Sequence, residues 1–171
     1  MAHQQKKIAV IGAGIAGLAC ARTLAQAGHT VTVMEKKSAA GGRTASCGTP
    51  FGSFDIGAQY FTVRDARFER ALSLSQALRK PWSANAVRVL DPHGRVAEAA
   101  LPSREAHWVN VPTMDSLARH WAEPLAAAGS LELGTRVSRI EADALTPQRW
   151  QLHTNGPQDS VHVFSGFDAV L

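Results

Sequence analysis

A chain of 171 residues is long enough for one hydrophobic core, or for one domain with part of a second. Its 45% apolar and 19% charged residues are those of a globular protein, and no apolar run approaches the roughly 20 residues needed to cross a bilayer. The net charge of +4 is scattered, without the basic stripe and interleaved aromatics of a nucleic-acid binder; it suits a phosphate-bearing small molecule better.

Residues 7–11 (KIAVI) form an apolar, β-branched run bounded by glycine, which predicts a buried parallel strand. Lys6-Lys7 and the apolar residues after them imitate a signal peptide, but three glycines interrupt the run, so a cytoplasmic protein is expected. Cys20 and Cys47 fit that compartment: they show no metal-type spacing, and Cys20 falls where a small buried hydrophobe is expected. The seven histidines are equally dispersed, and no metal site is expected. Residues 14–27 have helical spacing, with Leu18, Ala21, Leu24 and Ala25 on one side and Gly28 as a left-handed stop. Residues 30–35 (TVTVME) make a second strand, completing a βαβ unit.

Residues 37–50 are small and glycine-rich, which predicts a loop. A helix is expected over 65–80, with Phe68, Leu72 and Leu78 inside and Pro81 as its stop. Residues 84–90 and 95–101 predict a hairpin about Asp91-Pro92-His93-Gly94. The next helix, 113–128, places Met114, Leu117, Ala118, Trp121, Leu125 and Ala128 at helical spacing, with a kink expected at Pro124. Short strands follow at 131–133, 136–140, 150–153 and 161–164, with Asn155-Gly156 as a turn signal. Residues 167–171 read as the opening of a further buried strand, from which the chain is expected to be a piece of a longer protein.

The chemistry lies in the first βαβ unit. Gly12-Ala13-Gly14-Ile15-Ala16-Gly17 follows a strand and opens a helix. Each glycine has a steric role there, in the tight turn, in the approach of backbone to a pyrophosphate, and in close helix–strand packing. The helix start presents unpaired N–H groups to an anion. Glu35 ends the second strand, the place for a carboxylate that accepts hydrogen bonds from an adenosine ribose. Its charge disfavours a 2′-phosphate. Gly41-Gly42-Arg43-Thr44 adds a second glycine pair and a planar guanidinium suited to phosphate or ribityl oxygens, which a plain NAD dehydrogenase does not need. Read on its own, this second pair also fits a flexible turn with an exposed arginine.

Residues 12–44 resemble the start of the flavin amine oxidase superfamily. Within it, Phe54-Asp55-Ile56-Gly57-Ala58-Gln59-Tyr60-Phe61-Thr62 resembles the renalase-like branch, and the looser pieces 108–114, 135–137 and 167–171 agree. Thr113 departs from the glycine expected there. The resemblance implies an α/β architecture: a Rossmann-type FAD-binding domain with parallel sheet and β-meander (1–62 and 111–171), interrupted by part of an α+β substrate domain (63–110). It also implies that Gly12, Ala13, Gly14, Ile15, Ala16, Gly17, Glu35, Lys36, Gly42, Arg43, Gln59, Tyr60 and Val137 hold FAD. Tyr60, with Phe61, is equally readable as strand core. The implied activity is hydride transfer from a reduced small-molecule substrate, such as an isomer of dihydro-NAD(P), to flavin with reoxidation by oxygen. A flavin amine oxidase or desaturase is one alternative; a catalytically silent dinucleotide-binding module is another. No catalytic residue is identifiable, and neither a membrane nor a nucleic-acid partner is expected.

Overall fold

Strand β1 (Lys7–Ile11) enters first and becomes an inner strand of a four-stranded parallel sheet. The computed structural model describes residues 4–75, 78–83, 88–99, 106–156 and 160–171. Gly12 turns the chain at φ +102° into helix α1 (Ile15–Gln26), which ends on Ala27 and the left-handed Gly28, and strand β2 (Thr30–Glu35) returns beside β1. A single-turn 3₁₀ helix (Gly42–Thr44) leads to the hairpin β3 (Ser46–Thr49) and β4 (Gly52–Asp55).

Next come β5 (Phe61–Thr62), α2 (Ala66–Ser73) and β6 (Arg79–Pro81). The hairpin β7 (Arg88–Leu90) and β8 (Val96–Ala99) precedes β9 (His107–Asn110), which pairs with both β5 and β6. Helix α3 (Ser116–Ala127) and β10 (Leu131–Leu133) return the chain to the parallel sheet. An antiparallel meander of β11 (Arg136–Ala142), β12 (Trp150–Asn155) and β13 (Val161–Phe167) follows, and β14 (Ala169–Val170) closes the parallel sheet against β1. The sheet order is β10-β2-β1-β14.

The alternation of the strands sends side chains to two layers. Val10, Val31 and Val33 pack beneath α1 and α3, against Leu18, Ala21, Leu117 and Trp121. Ala9 and Met34, on the opposite face, pack against Leu152 and Phe167 of the meander. The result is a three-layer α/β/meander sandwich, with a continuous core on both sides of the parallel sheet.

Several expectations change in detail. The helix expected over 65–80 ends at Ser73, and Arg79 to Pro81 instead pair with β9. Part of the loop expected over 37–50 is strand β3. Ala25 and Ala128 are exposed and Cys20 is only half-buried. The hairpin about residues 91–94 is present, while residues 84–87, 100 and 101 of it lie outside the described residues. No described helix is long and apolar enough to cross a membrane.

Candidate functional site

Two cavities open near the glycine turn after β1. The smaller, about 300 Å³, is lined by Ile11, Gly12, Met34, Glu35, Lys36, Thr135, Arg136 and Val137. The pairing of β10 with β2 sets Leu133 opposite Glu35, and the Thr135 N–H donates to the Glu35 carbonyl at 2.8 Å. Non-local strand pairing therefore delivers Val137 to a pocket that Gly12 and Glu35 form locally.

Glu35 is 6% exposed. Its Oε2 accepts from the Ala13 N–H at 2.8 Å and its Oε1 from the Lys37 N–H at 2.9 Å. An ionised carboxylate has about four acceptor sites, so capacity remains for two hydroxyl donors in the pocket. Gly17 is needed by the same turn, since a Cβ there would lie 2.0 Å from the Gly12 carbonyl oxygen. Gly14 begins α1 without a side-chain cap, which leaves the first-turn amides of Ile15, Ala16 and Gly17 without the cap that most helix starts carry.

The larger cavity, about 470 Å³, is lined by Lys37, Gly42, Arg43, Ala45, Ile56, Gly57 and Ala58. The Gly41 N–H donates to the Ala13 carbonyl at 2.9 Å, and Gly14 and Gly41 form a parallel bridge. A Cβ on Gly42 would stand 3.1 Å from the Gly14 Cα, so the second glycine pair lies directly against the first glycine turn. Residues 56–58 run back along 43–45: Ile56 N–H donates to the Ala45 carbonyl at 3.1 Å, and Ala58 N–H to the Arg43 carbonyl at 2.8 Å.

Gly12, Glu35, Lys36 and Val137 thus share one cavity and Gly42 and Arg43 share the other, while Ala13, Gly14, Ile15, Ala16 and Gly17 line neither. Gln59 and Tyr60 line neither. Gln59 is exposed, while Tyr60 is half-buried, stacked on Trp82 at 4.8 Å and against His107 at 4.3 Å. Sequence reasoning missed Lys37, Ala45, Ile56, Gly57 and Ala58 in the larger cavity, and Ile11, Met34, Thr135 and Arg136 in the smaller. Gly57 carried a readable signal, a glycine inside an extended run that marks close backbone approach. Nothing but adjacency to Val137 pointed to Thr135 and Arg136.

Residues 10–74 match the family described as an NAD(P)-binding Rossmann-like domain. The domain is Rossmann-like. A protein of Bacillus subtilis (strain 168), provisionally named L-amino-acid oxidase YobN, is 50% identical over 70 residues, which are 41% of this chain and 14% of that protein. The 4,4'-diapophytoene desaturase (4,4'-diaponeurosporene-forming) of Staphylococcus haemolyticus (strain JCSC1435) is 45% identical over 58 residues, 34% of this chain and 12% of the desaturase. The matched stretches are therefore a small part of these curated relatives. Among solved structures, a double mutant of putrescine oxidase from a redesign of its cofactor binding superposes on 98% of this chain and 58% of its own, with a TM-score of 0.68 at 14% identity. The S-allyl-L-cysteine S-oxygenase of Allium sativum covers 99% of this chain and 36% of its own, with a TM-score of 0.55 at 20% identity. At such identities the likeness is one of fold. That likeness of fold covers nearly the whole chain.

Proposed function

We propose that this chain is the FAD-holding part of a flavin-dependent oxidoreductase. The observation that carries the reading is the buried Glu35 carboxylate, held by two backbone amides and lining one cavity with Gly12 and Val137. In this reading Glu35 receives the adenosine ribose, with Lys36 and Val137 beside it. The uncapped start of α1 receives the diphosphate, and Gly42 and Arg43 in the second cavity hold the phosphate or ribityl oxygens. Two cavities near the glycine turn suit a ligand longer than one nucleotide. The names of the relatives, oxidases and desaturases, lean the same way. FAD, when bound, supplies the hydride chemistry, while the chain's own residues bind, orient and exclude water. Residues 1–62 and 111–171 form the cofactor domain in this reading, and 63–110 belong to a substrate domain.

The test is Glu35→Arg, which replaces an acceptor by a donor of opposite charge. Each lost charge-assisted bond costs on the order of 1.5–3 kcal/mol, so FAD retention should disappear. A variant that purifies with stoichiometric FAD refutes the ribose assignment.

For the substrate, residues 54–62 favour the renalase-like reading, with isomers of dihydro-NAD(P) as hydride donors. The alternative is an amine or amino acid, and the name of one relative, an L-amino-acid oxidase, leans that way. Anaerobic stopped-flow with the FAD-loaded protein separates them. Flavin bleaching faster with the dihydronicotinamide isomers than with monoamines is the expected result; the reverse order moves the protein to the amine-oxidase reading.

A further inference from the structure

Strand β4 ends on Asp55, whose carboxylate is used away from both cavities. Its Oδ1 accepts from the Ser46 hydroxyl at 2.6 Å and from the Met114 N–H at 2.9 Å. The Asp115 N–H in turn donates to Ser46 Oγ at 3.4 Å. One carboxylate and one hydroxyl therefore hold the hairpin β3–β4 to the two backbone amides that lead into α3. The Asp115 side chain is fixed as well: Thr113 Oγ1 donates to its Oδ1 at 2.6 Å, and Arg119 donates twice to its Oδ2, at 2.9 and 2.6 Å. That side chain abuts the glycine loop, since a Cβ on Gly41 would lie 3.5 Å from the Asp115 Cβ.

The residue after Asp55 begins the strap 56–58, which hydrogen-bonds the carbonyls of Arg43 and Ala45 and lines the larger cavity. The position of that cavity wall relative to α3 thus runs through Asp55 and Ser46, and α3 packs on the same parallel sheet that carries Glu35.

We infer that Asp55, acting through Ser46 and the amides of Met114 and Asp115, is a positioning residue that sets the Arg43-side cavity for the far end of the dinucleotide. The inference rests on the FAD reading above. A clamp on this side acts on a ligand that reaches past the glycine turn and leaves the Glu35 pocket alone. The affinities for two ligands separate these effects. FAD would span both cavities, whereas adenosine monophosphate would occupy only the Glu35 side.

In the unaltered chain, Asp55→Ala and Asp55→Asn, equilibrium binding of FAD (fluorescence quenching) and of AMP (calorimetry) is compared. Asp55→Ala should weaken FAD by about tenfold or more, the size of one lost charge-assisted bond, and leave AMP within about twofold. Asp55→Asn, which keeps an acceptor oxygen, should recover most of the FAD affinity. Should Asp55→Ala fail to fold, Ser46→Ala removes a hydroxyl and no charge, and carries the same comparison with the same expected split. Equal losses for both ligands, or FAD affinity unchanged by the substitutions, overturn the positioning role while FAD binding by the unaltered chain preserves the cofactor reading. An unaltered chain that binds AMP but no FAD overturns both.

Discussion

Adding one methyl group at Gly57 tests whether the strap over the larger cavity is sterically fixed. A Cβ at that position lies 2.1 Å from the Arg43 carbonyl oxygen and 2.9 Å from its carbon, with the Ala45 nitrogen at 3.5 Å. Carbon and oxygen come to rest at roughly 3.3 Å, so about 1 Å must be found by moving backbone. The obstructing oxygen is also the acceptor of the Ala58 N–H at 2.8 Å, and relieving the clash opens that bond. Overpacking of this kind costs about 1–3 kcal/mol, and a lost backbone hydrogen bond adds about 1 kcal/mol. Gly57→Ala should therefore lose about 2–4 kcal/mol, a large share of a domain's typical 5–15 kcal/mol. Gly48→Ala is the matched control: it sits in the neighbouring strand β3, nothing lies within 4 Å of its added Cβ, and its change should stay within about 0.5 kcal/mol. Urea unfolding followed by tryptophan fluorescence measures both. If Gly57→Ala is as stable as Gly48→Ala, the strap moves freely and the described cavity wall is not a fixed surface.

Trp121 is 1% exposed, donates from Nε1 to Ser75 Oγ at 3.3 Å and carries the Arg22 guanidinium 5.0 Å above its ring. Trp121→Ala should cost about 3–5 kcal/mol in chemical denaturation, and a loss below about 1 kcal/mol would contradict its place at the centre of the helix-side core. Burial alone would raise the Asp115 carboxyl, but hydrogen bonds from Thr113 and Arg119, the Arg119 charge and Ser46 outweigh it and hold the group below its ordinary value of 3.8. A folded value below the unfolded one gives stability that is complete above the unfolded value and is lost as pH falls through the folded one. Asp115→Asn should therefore be destabilising at pH 7, and the gap between variant and parent should narrow as thermal unfolding is repeated from pH 6 down to pH 3; a gap independent of pH would contradict the assignment.

The first βαβ unit was legible because its signals are local. Strands at 7–11 and 30–35 have apolar, β-branched runs, the first closed by Gly12, and both occur at those residues. The helix between them and its Gly28 stop need only their own periodicity and one left-handed residue. The segment 65–80 failed for a non-local reason. Its spacing is helical, but Arg79 is recruited by distant partners: two hydrogen bonds to Glu69, a seat over the Trp108 ring at 4.7 Å, and backbone pairing with Asn110. Those contacts hold residues 79–81 extended, and tertiary pairing overrides helical pattern there. Strand β3 was equally hidden, since Ser46 to Thr49 have no apolar alternation and are held in register by β4.

The same division runs through the candidate site. Gly12, Gly17 and Glu35 announce themselves because turn sterics and strand end are properties of adjacent residues. Thr135, Arg136 and Val137 reach Glu35 only because β10 lies parallel to β2, a pairing between segments about a hundred residues apart that no local pattern encodes. Asp55 is the sharper case. In sequence it stands in the segment 54–62 with no role assigned to it, and its partners are Ser46 nearby and Met114 far away. A motif search finds residues that would touch a ligand, because ligand chemistry restricts their types and spacing. A residue that holds the binding loops in place is restricted only by whichever backbone amide stands opposite it. Such a residue becomes visible once the donors of that second segment have been located.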